Sequence, residues 1–504
     1  MTENTQPGLP ALSGGLGGPA ALRPLLETVL DGLAEGAARR GGPLPAGAPK
    51  EIADLVATTL EHAAGGGAET LHRLTTLLAH GSADPADPSC AAHLHCPPLA
   101  LAVAADLAVS ALNPSQDSWD QAPAATALET LLLQDLAALV GYAPAASAGV
   151  LTSGGTESNL MGLMLARDHA LGRAGGRPTE LHGLPPGLTP RIFASAAAHF
   201  SVQRAAALLG LGEHAVVAVP VDRDLRMDAG ALAVALRESA GRGEIPVAVV
   251  ATAGTTDTGG IDPLPRIADL AAENHAWLHV DAAYGGGALL SDRLAPLLDG
   301  IARADSVSLD WHKLGWQPAA AGVFLVRDAQ TYAPLARRAV YLNPADDEEA
   351  GYPSLLGLSL RTTRRADAFK IAVTLRTLGR SGLGRLVDTC HDLARHAAAT
   401  AAAHPQLELH TAPVLTTAVF RYLPQRDGLR DDPRAVDVVN AALRRRLLRE
   451  GRAVIGRTEL PGEGPGRIRL KLTLLNPHTT PAGIEQLLRL VVAAGQAEEA
   501  EQAG

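Results

Sequence analysis

The sequence predicts an α/β fold: a large mixed sheet with helices on both faces, followed by a smaller α+β unit. Two observations carry this. Between residues 149 and 310 short apolar or β-branched runs recur, and several end in glycine, serine, threonine or aspartate before helical spacing resumes. The chain, at 504 residues, is also long enough for about three domains.

Residues 1–20 are rich in glycine and proline and lack periodicity, which predicts a mobile tail. Within it Gly15-Leu16-Gly17-Gly18-Pro19-Ala20 imitates a dinucleotide fingerprint, but no strand precedes it and a proline interrupts it. Helical apolar spacing over 22–40 and 49–82, with Leu55, Leu60, Leu71 and Leu77, predicts a helical segment spanning 21–99. The α/β domain is expected over 100–390, with the Gly- and Pro-rich stretch 172–190 as an insertion loop. A long helix from Arg364 to about Ala403 leads into a small α+β domain over 391–495. Its strands are expected at 416–422 and 467–473, and Gln496 to Gly504 reads as a frayed end. No internal repeat is visible.

Composition excludes several classes. With 47% hydrophobic and 19% charged residues the chain is globular. Its formal charge of −10, without a basic stripe interleaved with aromatics, gives nucleic acid no footprint. Arg444, Arg445, Arg446, Arg449 and Arg452 read as the solvated face of a helix. Cys90, Cys96 and Cys390 lack CxxC spacing, which argues against a disulfide framework or a zinc site and for a reducing compartment. No metal centre is expected. No apolar run reaches membrane-spanning length and no signal-peptide order opens the chain, so the expected location is the cytoplasm.

The chemistry gathers where the strands end. The run Ser306–Asp310 gives way to Trp311-His312-Lys313-Leu314-Gly315-Trp316, which aims a lysine into a crevice between two tryptophans. Ammonium groups are costly to desolvate, and a lysine so placed with a lowered pKa can hold an aldehyde cofactor as a Schiff base. Strand 277–280 delivers Asp281, whose carboxylate would suit a pyridine ring nitrogen; taken alone it reads first as a helix N-cap. Strand 149–152 runs into Ser153-Gly154-Gly155-Thr156-Glu157-Ser158-Asn159, a small-residue turn able to hold phosphate at a helix N-terminus, or a plain turn with a capping box. Strand 191–195 leads to His199, and strand 247–250 to Thr252-Ala253-Gly254-Thr255-Thr256.

Each signal alone is ambiguous, yet their order matches pyridoxal phosphate enzymes of the aspartate aminotransferase (type I) fold. The chain resembles the group II pyridoxal phosphate-dependent amino acid decarboxylases over roughly residues 85–480. The most specific pieces are Thr152–Asn159, His279-Val280-Asp281-Ala282-Ala283-Tyr284-Gly285 and His312-Lys313. Ser118-Trp119-Asp120-Gln121-Ala122-Pro123 and Leu360–Lys370 are most similar to the bacterial branch acting on 2,4-diaminobutyrate or lysine.

The resemblance implies pyridoxal 5'-phosphate bound through Lys313, with Asp281 at the ring nitrogen. His199 would stack on the ring and steer the substrate carboxylate, Thr252 would lie near the ring oxygen, and Ala283 is small enough to let the ring lie flat. Gly155 and Thr156, then Ser308 and His312, are the expected phosphate residues; Ser308 reads equally as a strand hydroxyl bonded to its neighbours. Tyr341 matches the family's proton-donating tyrosine on a loop continued by Asp346-Asp347-Glu348-Glu349, with His312 or Lys313 as the other candidate donors. Ser115 and Asp117 fall in the substrate pocket, contributed across a homodimer whose N-terminal helices pack across the interface. An acid at 117, where aromatic decarboxylases carry an aromatic residue, favours a basic diamino acid; a turn-capping role for Asp117 is the plainer reading. The expected reaction is decarboxylation of an L-amino acid to amine and carbon dioxide. A neutral or aromatic substrate, or an aminotransferase or lyase on the same fold, are the alternatives.

Overall fold

The computed structural model describes residues 10–61, 66–337, 339–462 and 464–501. Its centre is a seven-stranded sheet in the spatial order Ala148–Thr152, Gly322–Val326, Ser306–Asp310, Trp277–Ala282, Ile245–Thr252, Pro190–Ser195, Val216–Val219. Gly322–Val326 runs antiparallel to both of its neighbours, and the other six strands share one direction. Strands buried on both faces tolerate continuous apolar runs, and Val247 to Ala251 are wholly buried. Five strands from distant parts of the sequence therefore open their carboxyl ends along one edge, where α/β sheets place ligand crevices.

Helix Gly155–Gly175 packs on one face of this sheet, and helix Pro123–Val140 on the other. The latter corrects the reading that no apolar run is long enough to cross a membrane, since by length and composition it qualifies. It packs as a core helix instead, burying Leu132, Leu133, Leu136 and Val140 and holding Glu129 against Arg364 at 2.6 Å.

A second sheet has the order Cys90–Ala91, Val454–Glu459, Ile468–Thr473, Thr417–Tyr422, Leu407–Thr411. Helices Pro433–Arg449 and Pro481–Glu501 and the later part of Ala368–Ala403 cover it. That long helix starts four residues after Arg364 and changes direction at Gly379, where φ is 66°. The N-terminal helices are Gly18–Arg40, Pro49–Glu61 and Gly67–Gly81.

Several local expectations need correction. Helix Gly18–Arg40 begins inside the stretch read as a tail, whose first nine residues lie outside the described ones. The expected insertion loop contains the end of helix Gly155–Gly175 and the short helix Thr179–His182. The expected frayed C-terminus is helical to Glu501; Glu499 accepts from Tyr422 Oη at 2.5 Å, and residues 502–504 lie outside the described ones. Arg446 is not a solvated arginine: it is bonded to Glu498 at 2.6 Å and also to Glu501. Asp346 to Glu349 belong to a short helix, Ala345–Glu349.

Candidate active site

A cavity of about 470 Å³ lies at the shared carboxyl edge of the large sheet, and residues from each of the five strand ends line it. At one side the strand Ala148–Thr152 breaks into the turn before helix Gly155–Gly175. Gly155 is required there: a Cβ would meet Ala283 Cβ at 2.9 Å and Asp310 Oδ2 at 3.2 Å. Glu157 folds back to accept from Ser153 N at 2.7 Å, and Arg361 Nε donates to the other Glu157 oxygen at 2.9 Å. The Leu360–Lys370 motif thus braces the turn from behind. Arg361 also donates to Leu151 O, and Arg364 reaches Glu129, which itself accepts from Leu151 N.

Thr252, Asp281 and Ser308 sit side by side on adjacent parallel strands. Asp281 accepts from Asn159 Nδ2 at 2.7 Å, Ser308 Oγ at 3.1 Å and Ala283 N at 3.1 Å. Three donors thus converge on one buried carboxylate. Ser308 is corrected as a phosphate residue: it is wholly buried, and its hydroxyl faces Asn159 Oδ1 and Asp281, the strand-hydroxyl reading. The Thr252 hydroxyl makes no bond to Asp281 and has no partner among the described residues, although it is buried. His199 lines the same cavity, its Nδ1 2.8 Å from Ser201 Oγ. Burial holds its imidazole below the ordinary value, with Asp281 opposing that shift.

Lys313 enters from the turn after Ser306–Asp310, between the buried Trp311 and Trp316. Its Nζ is 3.0 Å from Asp310 Oδ2, and His312 Nε2 is 3.5 Å from the same oxygen. Burial lowers the His312 pKa, against the pull of Asp310. Lys370, the other lysine in a recognised motif, is locked away at 3.0 Å from Asp106 and 3.1 Å from Asp367.

The cavity thus brings together Gly155, Thr156, His199, Thr252, Asp281, Ala283, His312 and Lys313. Besides Ser308 it leaves out three expected residues. Ser115 pairs with Arg365 in a two-residue bridge and lines a separate apolar groove. Asp117 is absent from the lining, and its buried Oδ1 has no partner among the described residues. Tyr341 is 83% exposed. Conversely, sequence reasoning passed over Asn159, Asp310, Leu94, Thr256 and Tyr284, all of which line the cavity. Asn159 stood in a quoted motif and Asp310 at a strand end; each was legible as a neighbour of chemistry and not as part of it.

Residues 51–423 match the family model described as the pyridoxal-dependent decarboxylase conserved domain. The chain is 45% identical over 403 residues to an L-2,4-diaminobutyrate decarboxylase of Rhizobium meliloti, covering 80% of this chain and 76% of that protein. It is 37% identical over 456 residues to an L-2,4-diaminobutyrate decarboxylase of Acinetobacter baumannii, covering 89% and 88%. Among solved structures it superposes with a TM-score of 0.85, at 34% identity and over 96% and 98% of the two chains, on one from Vibrio parahaemolyticus. That structure is described as the glutamate decarboxylase domain of diaminobutyrate-pyruvate transaminase and L-2,4-diaminobutyrate decarboxylase. The chain belongs to the pyridoxal-dependent decarboxylase family. It is an enzyme with the type I fold, and its cofactor is pyridoxal 5'-phosphate.

The residues fit that cofactor. The buried, unpartnered Thr252 hydroxyl offers a polar contact, the Gly154-Gly155 turn opens beside the N-terminus of helix Gly155–Gly175, and Lys313 lines the same cavity with its amine on Asp310.

Proposed function

We propose that the enzyme decarboxylates a basic L-diamino acid, 2,4-diaminobutyrate or lysine, to the amine and carbon dioxide, acting as a cytoplasmic homodimer. The observation that carries the choice of substrate is Asp117, an acid with a buried, unpartnered oxygen in a segment tied to the active-site brace through Gln116 N and Arg364 O. The names of the two relatives support the same substrate class. The dimer is supported by apolar side chains on the N-terminal helices, Leu25, Leu30, Leu33 and Leu60, which are exposed on the single chain. A second copy would cover them and bring Ser115 and Asp117 to a crevice their own chain does not give them. The three cysteines are free, as suits a reducing compartment. We divide the chain into a helical dimerisation segment that begins at helix Gly18–Arg40 and runs to residue 99, a cofactor domain (100–390) and a small domain (391–495).

Pyridoxal phosphate, when bound, supplies the electron sink that makes loss of the α-carboxylate feasible. The side chains direct it. Lys313 would hold the cofactor through its amine, and Gly155, Thr156 and His312 would hold the phosphate. Asp281 would hold a proton on the ring nitrogen, and Thr252 and Ala283 would bound the ring's seat. His199 would orient the substrate carboxylate, and Tyr341 would supply a proton to the substrate carbon once its loop reaches the crevice.

The test is a panel of L-amino acids given to the purified enzyme, with carbon dioxide and amine both measured. Diaminobutyrate or lysine should be turned over best. Asp117→Ala should raise KM for that substrate by about 1.5–3 kcal/mol, the worth of a charge-assisted hydrogen bond, and leave neutral amino acids nearly unaffected. Preference for a neutral or aromatic amino acid, or keto acid in place of amine, would defeat the reading.

A further inference from the structure

Beneath the candidate cofactor seat runs a chain of hydrogen bonds whose direction is fixed at both ends. Trp277 Nε1 only donates, and it lies 2.8 Å from Ser306 Oγ. Ser306 Oγ is 2.8 Å from His279 Nδ1, and His279 Nε2 is 2.9 Å from Asn159 Oδ1. At the far end the Asp281 carboxylate accepts, at 2.7 Å from Asn159 Nδ2. An amide turned the other way would set its oxygen against the carboxylate, so Asn159 must offer its NH₂ to Asp281 and its oxygen to His279.

The protons then sort themselves. His279 carries its hydrogen on Nε2, leaving Nδ1 to accept from the Ser306 hydroxyl, whose oxygen accepts from Trp277. The ring is wholly buried, and that burial lowers its pKa against the opposing charge of Asp281, so it stays neutral with one donor and one acceptor. Room for it is built into the facing helix: a Cβ on Gly162 would meet His279 Nδ1 at 2.6 Å. The second hydrogen of the Asn159 amide goes to Ser201 Oγ at 2.9 Å. Ser201 in turn lies 2.8 Å from His199 Nδ1, toward which its backbone N–H also points at 3.3 Å. His199 Nδ1 is therefore an acceptor, and the ring hydrogen sits on Nε2.

We propose that Trp277, Ser306, His279 and Asn159 form a one-way hydrogen-bond relay that divides at Asn159, holding Asp281 as an accepting carboxylate and His199 as its Nε2–H tautomer. These four are positioning residues: none is assigned contact with the reacting atoms, and each acts through Asp281 or His199. The value of the relay to catalysis rests on the roles given above to those two residues. Its existence does not, because the proton arrangement belongs to the protein alone.

The test uses full-length enzyme as purified, with ¹⁵N-labelled histidine and the His199 ring signals assigned by their loss in His199→Gln. The parent should show a protonated Nε2 and a bare Nδ1 at neutral pH. Asn159→Asp, nearly isosteric but unable to donate to both partners, should abolish that single tautomer. It should also move the midpoint of the pH titration of the cofactor's visible absorbance by about one pH unit, a tenfold change in proton affinity. His279→Leu should act in the same direction, and His279→Gln, which keeps a donor for Asn159 Oδ1, should restore the parent tautomer. A parent enzyme with the hydrogen on His199 Nδ1, or Asn159→Asp and His279→Leu variants indistinguishable from the parent in both readouts, would overturn the relay. Failure of the substrate assignment would leave the His199 signature unchanged, so the two proposals fall separately.

Discussion

Asp281 is where the chemistry is most exposed to test by one atom. Replacing a carboxylate oxygen by an amide nitrogen leaves shape nearly unchanged but removes the charge proposed to hold a proton on the ring nitrogen. Asp281→Asn should keep cofactor affinity within roughly tenfold while turnover falls by about a hundredfold or more, measured by absorbance titration and amine release. Equal losses in both would mark Asp281 as a structural cap. His199 gives the pH dependence. Its pKa is lowered mainly by burial, so it is neutral at pH 7 and gains a proton only below the unperturbed value of about 6.5. The acid limb of kcat/KM that reports His199 should accordingly lie below about pH 6.5, and His199→Gln should remove it. A limb above that value that survives the substitution would belong to another group. At this scale the sequence showed the residues that end strands, because a strand end followed by a polar side chain is a local pattern. It hid Asn159 and Ser308 as partners of Asp281, because those bonds join positions 122 and 27 residues apart.

Strands announced themselves where they are continuously apolar and were passed over where they are short or depend on neighbours. Ser306–Asp310 and Trp277–Ala282 were legible from β-branched, buried runs. Gly322–Val326 was passed over although it is apolar throughout, while Leu407–Thr411 and Val454–Glu459 were not legible because what makes them strands is pairing to elements already in place. The loop carrying Tyr341 is the element whose role reaches furthest beyond its position, for its phenol is largely exposed and lines no part of its own chain's cavity. If that phenol returns the proton, Tyr341→Phe should still release carbon dioxide but yield aldehyde and ammonia at the expense of amine. A product ratio matching the parent's would shift the proton donor to His312 or Lys313.

For the whole molecule, the topology does what no local pattern could: six co-directed strands and one reversed strand bring residues from 153 to 313 to a single edge. The large domain's architecture, a mixed sheet with helices on both faces, was legible because strands and helices alternate along it. Ser115 and Asp117 lie outside their own crevice, and only the proposed dimer would bring them to one; the sequence speaks to assembly only through resemblance. Everything proposed here converges on one amine. Of the lysines in recognised motifs, Lys370 is buried between two carboxylates, whereas Lys313 faces the cavity. Borohydride reduction of the purified enzyme followed by peptide mapping should place the pyridoxyl group on Lys313, and Lys313→Ala should lose the label. A pyridoxyl group on Lys370 or any other lysine in the unmodified enzyme would contradict the account.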